Sequence, residues 1–192
     1  MASGGNVFIG YFFNFYMIKG GKGGANTNIS GLKFEQKIDV KTAFQGLKGY
    51  EVKDNDVFFE GVKVAELYKK NDLYKKFLGR YSINWKEIMV KRLLPDEAIF
   101  VLHNNTLFIV EKKFQHGGGS VDEKLQTCQF KLMQYKKLLS KSNIRVEYGY
   151  VLNDWFKQQS YKDVLDYIKF ANCFYYFEEL PFSFLGLPSP KS

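Results

Sequence analysis

Cysteine and histidine are scarce in this chain. Among 192 residues there are two cysteines, Cys128 and Cys173, and two histidines. No CxxC pair occurs. A four-cysteine zinc site is therefore excluded, and a mixed Cys/His zinc site has almost nothing to build on. Two isolated thiols suit a cytoplasmic protein with reduced cysteines. Long apolar runs are also lacking. The longest aromatic-rich stretch, Val7 to Ile18, is shorter than the ~20 residues a membrane-spanning helix needs. It has no basic flank or small-residue cleavage site of a secretory signal. Its Phe and Tyr content fits a buried strand. A phosphate-binding P-loop is missing too. Gly20-Gly21-Lys22-Gly23-Gly24 lacks the required spacing, and no Ser or Thr follows its lysine. Acid is in deficit, with 20 Asp and Glu against 28 Lys and Arg and a net charge of +8. A basic surface favours a polyanionic partner. What the chain does have is apolar content, 45% hydrophobic and 18% aromatic, enough for a real core in a single domain.

The most informative segment runs from Leu93 to Lys113. It reads as two apolar strands joined by Asn104-Asn105, with Pro95-Asp96 opening the first and Glu111-Lys112-Lys113 closing the second. A two-residue turn would set His103 opposite Thr106, Asp96 opposite Lys113 and Ala98 opposite Glu111. Period-two alternation then puts Asp96, Glu111 and Lys113 on one face. Opposed residues have Cβ atoms about 4.5–5.5 Å apart, and diagonal ones about 7–8 Å. Two carboxylates and an ammonium at that spacing can hold one hard divalent cation and a phosphate. Both strands are apolar on both faces. Ile99, Val101, Phe108 and Val110 line one side, and Phe100, Leu102, Leu107 and Ile109 the other. Such strands belong mid-sheet with helices on both sides, which predicts a mixed α/β sandwich.

Around this ribbon the pattern predicts a helix from Asn28 or Ser30 to Leu47. A hairpin Val57–Phe59/Val62–Val64 follows, turning at Glu60-Gly61. A lysine-rich helix is expected over Leu67 to Phe77 and a short one near Trp85 to Val90. After the ribbon, Ser120 and Glu123 form a capping box for a helix over Val121 to Leu139. Val146 to Leu152 reads as a strand, Tyr161 to Phe170 as a helix and Cys173 to Phe177 as a strand. The tail from Pro181 is expected to be irregular.

This order, with Pro95-Asp96, a fourteen-residue gap and Glu111-Lys112-Lys113, resembles the PD-(D/E)XK nuclease superfamily. The segment Gly23 to Glu35 is similar to the glycine-rich entry and first helix of type II restriction endonucleases. The triplet alone is weak, because [DE]-x-K also occurs at Glu35-Lys37, Asp39-Lys41, Glu51-Lys53 and Asp122-Lys124. Only the copy at Glu111 ends an apolar strand paired with one that opens on Pro-Asp.

The resemblance implies a mixed sheet flanked by helices, a restriction-endonuclease-like αβββαβ core over about residues 20–152. The aromatic N-terminal strand and a C-terminal extension, 153–192, lie outside that core. It also implies a Mg²⁺-dependent deoxyribonuclease in which Mn²⁺ substitutes. Its ligands would be Asp96, Glu111 and the backbone carbonyl of Lys112, with Glu35 completing the set and Lys113 acting on the attacking water. The expected partner is double-stranded DNA, contacted by Lys124, Gln126, Lys69 and Lys70. A second copy, or a larger recognition subunit as in heterodimeric type IIS enzymes, would complete the assembly. The alternatives are a Holliday-junction resolvase or repair nuclease on the same fold, and a basic DNA-binding module without catalysis.

Overall fold

The computed structural model describes residues 29–34, 39–117 and 121–191. The predicted strand at Val7 to Ile18 and the glycine-rich loop lie outside them, as do Glu35 and Ser120. In chain order the elements are β1 Gly31–Lys33, α1 Val40–Gln45, β2 Tyr50–Lys53, β3 Asp56–Phe59 and β4 Val62–Tyr68. A π-helical turn Leu73–Phe77 runs into α2 Leu78–Arg80, and a 3₁₀ turn covers Trp85–Glu87. The ribbon follows as β5 Glu97–Val101 and β6 Thr106–Lys113. Next come α3 Val121–Leu125, α4 Cys128–Leu138, β7 Arg145–Leu152, α5 Lys162–Phe170, β8 Phe174–Phe177, β9 Glu179–Pro181 and α6 Phe182–Leu185.

Strands β2 to β8 form one seven-stranded sheet in sequence order. Pairing is antiparallel from β2 through β6, then parallel for β6–β7 and β7–β8. Each parallel step carries a helical crossover, α3 with α4 and then α5, as parallel neighbours require. This is a mixed α/β sandwich. Strands β5 and β6 lie in its middle, and all five residues of β5 are buried. Their alternate side chains feed two separate cores. Ala98, Phe100, Leu107 and Ile109 pack with Leu125, Leu132, Tyr135, Tyr148 and Ile168 beneath α3, α4 and α5. Ile99, Val101, Phe108 and Val110 pack with Val40, Phe44, Leu180 and Phe182 beneath α1, β9 and α6. No helix among the described residues is long and apolar enough to cross a membrane.

Four expectations need correction. The ribbon turn is not two-residue. Val101 pairs with Thr106, leaving a four-residue loop from Leu102 to Asn105. Leu102 sits in that loop, half exposed, and does not line the sheet. A two-residue type I′ turn needs positive φ at both central residues, and here only Asn105 has it, at 51°. Asn104 is held instead by its side chain, which donates to the carbonyl of Leu185 at 2.9 Å. The register moves by two residues, so every side chain keeps its face.

The predicted first helix begins late. Gly31–Lys33 is a strand paired with Glu179–Pro181, and helix starts only at Val40, capped by Asp39, whose carboxylate accepts from the Thr42 amide at 2.9 Å. Leu32 and Phe34 repeat at spacing two, and both are buried against this second strand. The lysine-rich helix also starts late. Leu67 and Tyr68 finish β4 opposite Ile99 and Ala98, and Lys70 turns the chain at φ 47°. Finally, the tail is ordered by β9 and α6, which bury Leu180, Phe182 and Leu185.

Candidate functional site

Asp96 stands just before β5, and its approach is tightly held. The carbonyl of Leu93 accepts from the Tyr74 hydroxyl at 2.8 Å and from the Tyr135 hydroxyl at 3.0 Å. The Leu93 amide donates back to the Tyr74 hydroxyl at 3.0 Å. The carbonyl of Pro95 accepts from the Lys70 amide at 2.9 Å. These bonds fix the backbone on both sides of the proline. The Asp96 carboxylate then reaches across to β6, where Oδ2 accepts from the Lys112 amide at 3.1 Å.

Glu111 and Lys113 project from β6 on the same side as Asp96, toward α4. Lys113 Nζ lies 3.1 Å from Glu111 Oε2, 3.8 Å from Asp96 Oδ2 and 3.3 Å from the carbonyl oxygen of Lys112. The ammonium thus sits where the three oxygens predicted to ligate a cation converge. Those oxygens are hard donors, two of them anionic, and a positive group already occupies their focus. Their chemistry fits Mg²⁺ or Mn²⁺. Among the described residues no three His, Cys, Asp or Glu side chains gather as a ligand cluster. Among the described residues the oxygens gathered here are two carboxylates and one carbonyl. Mg²⁺ usually keeps several waters and is held by one or two carboxylates. Glu35, the predicted additional ligand, lies outside the described residues.

The site is only partly open. The side chains of Glu111 and Lys113 are 10% and 17% exposed, and that of Asp96 38%. Restricted water strengthens each charge interaction.

The helix over the ribbon also contributes. The predicted continuous helix from Val121 to Leu139 breaks between α3 and α4, where the Tyr150 hydroxyl lies 3.2 Å from the carbonyls of both Lys124 and Leu125. Tyr150 pairs with Glu111 across β6–β7, so this anchor holds the break above the site. Gln126, in the break, is exposed. The α4 side chain that reaches the site is Lys131, whose Nζ is 3.6 Å from Glu111 Oε2. Sequence reasoning did not select Lys131, because one lysine on a lysine-rich helix carries no local signal.

Lys112 and Glu97 point to the opposite side of the sheet. Lys112 Nζ is 3.3 Å from Glu97 Oε1, and the Val40 amide donates to the same oxygen at 3.3 Å. Burial pushes the Glu97 carboxyl above its ordinary range, against the pull of the Lys112 ammonium and the Val40 amide. Lys69 lies on that side as well, 3.1 Å from Asp39 Oδ2. Glu97, Lys69 and Asp39 border a cavity of about 340 Å³. The four residues predicted to touch DNA therefore do not form one stripe. Lys69 is paired on the α1 side, Lys70 runs beside Pro95, and Lys124 and Gln126 are exposed over the other face.

No protein-family model matches this chain, and comparison with curated proteins and with solved structures gives no match either.

Proposed function

We propose that this protein is a divalent-cation-dependent DNA endonuclease with a PD-(D/E)XK-like centre, acting as a restriction enzyme or its cleavage subunit. The observation that carries the reading is the convergence of Asp96 Oδ2, Glu111 Oε2 and the Lys112 carbonyl on the Lys113 ammonium. The reading is supported by the element order, in which a helix precedes an antiparallel run from β2 to β6, followed by a helical crossover and a parallel strand.

The division of labour follows from charge and position. Asp96 and Glu111 would hold a Mg²⁺ ion together with the Lys112 carbonyl. Bound there, the ion would supply Lewis-acid activation of water and neutralise phosphate charge. Asp96 is kept in place by the Lys112 amide and by the clamped Leu93–Pro95 segment. Lys113, displaced from the oxygens, orients the attacking water and faces negative charge developing on the phosphate. The chain's net charge of +8 favours binding to a polyanion.

Incubating the purified chain with plasmid and Mg²⁺ or Mn²⁺ tests the proposal, both alone and beside a larger recognition subunit. Cleavage by the wild type and none by Glu111→Ala is the expected result. DNA affinity should fall steeply with salt, as phosphate contacts release counterions. One observation favours a second reading: the described residues supply two acids to the site and no third. A DNA-binding module without catalysis would bind duplex in this same salt-dependent way, yet leave plasmid intact with either cation.

A further inference from the structure

We infer that Lys131 is a substrate-binding residue of this site: with the cation on Glu111, it contacts a non-bridging oxygen of the target phosphate. The inference rests on the nuclease reading above.

Three observations carry it. Lys131 Nζ lies 3.6 Å from Glu111 Oε2, the same oxygen that Lys113 reaches at 3.1 Å. That one oxygen therefore has two ammonium partners. Second, this is no solvated surface pair. Glu111 is 10% exposed, and Lys131 Nζ lies over the Tyr148 ring, 5.8 Å from its centroid. Third, the charges balance. Asp96 and Glu111 against Lys113 and Lys131 leave the cluster neutral, which gives an incoming phosphate nothing to bind. A divalent cation held by Glu111 makes the same cluster doubly positive, and its charge repels both ammonium groups. Lys113 stays beside the cation on its own strand. Lys131 comes from a different element, and its side chain is 24% exposed, so it has a path outward toward the substrate. A compact ammonium on a flexible stem suits a phosphate oxygen in that position.

The test compares wild type with Lys131→Gln, Lys131→Met and Lys131→Arg. Mn²⁺ affinity is measured by calorimetry without DNA, and single-turnover cleavage of a duplex is measured at saturating Mn²⁺. Removing a positive charge near the cation should tighten Mn²⁺ binding by about fivefold in the Gln variant. Cleavage should slow by roughly tenfold or more, and Lys131→Arg should recover most of it. Lys131→Met keeps the stem over Tyr148 and should behave as the Gln variant does, which separates lost charge from lost packing. The inference is overturned if either Mn²⁺ affinity or cleavage in the Gln and Met variants stays within about twofold of wild type, or if Arg restores nothing. A wild type that neither binds Mn²⁺ nor cuts DNA defeats the nuclease reading itself, a result visible before any variant is compared.

Discussion

The Lys112 amide donates to Oδ2 of Asp96 at 3.1 Å, so the acid that precedes β5 is tied to the backbone of β6. This bond does two jobs. It continues the β5–β6 pairing beyond Glu97↔Val110, and it points the carboxylate at Lys113 and Glu111. Fold and site share a single side chain here.

The two roles of Asp96 separate by mutation. Asp96→Asn keeps an oxygen for the Lys112 amide and removes the charge, so the thermal midpoint should stay near wild type while Mn²⁺ binding and cleavage are lost. Asp96→Ala also leaves the amide without its acceptor and should cost a further ~1 kcal/mol. Calorimetric melting beside a plasmid assay checks both. An Asn variant that cuts like wild type would remove Asp96 from the ligand set.

Lys113→Ala removes the ammonium from the oxygen focus. Mn²⁺ should then bind at least as tightly as in wild type, because nothing competes for Asp96 and Glu111. The chemical step should slow by roughly 10²-fold or more, as expected when a charge-stabilising donor is lost. Weaker Mn²⁺ binding would mean that the lysine organises the carboxylates instead of competing with the cation.

Away from the site, Glu66 contributes to acid stability. Its carboxylate is buried, which raises its pKa. Hydrogen bonds from Arg80, Lys63 and Tyr68 outweigh that burial and bring it down to about 2 from 4.5. The folded value lies below the unfolded one, so the contribution is complete above the unfolded pKa of 4.5 and is lost as pH falls toward 2. Urea unfolding between neutral pH and the acid limit should show this loss in wild type. Glu66→Gln should be less stable at neutral pH and show a flatter acid limb.

Gly149 faces Phe174 across β7–β8, and a Cβ there would lie 2.0 Å from the Phe174 carbonyl oxygen. Backbone cannot yield as a side-chain tip can. Gly149→Ala should therefore cost about 3 kcal/mol or more, measured by denaturant midpoint, by forcing β8 away from β7. A midpoint within the error of wild type would contradict this strand spacing.

Part of this was written in local sequence. The alternation that buries both faces of Glu97–Val101 and Thr106–Val110 needs only neighbouring residues to be read. So does the shared side of Asp96, Glu111 and Lys113, since parity survives a two-residue change of register. Val62–Val64, Val146–Leu152 and the helix ending at Phe170 were legible for the same reason: their periods are intrinsic to the chain.

Tertiary structure decided the rest, through partners far away in sequence. Gly31–Lys33 becomes a strand because Glu179–Pro181 pairs with it, which no local period announces. The ribbon loop lengthens where Asn104 meets Leu185. Lys131 joins Glu111 only because α4 packs on β7 beside β6, and among many lysines only that packing distinguishes one. Hydrophobic alternation fixes which way a side chain faces, since it follows from backbone geometry. Which distant group a side chain meets depends on how the two cores pack, and that belongs to the whole chain.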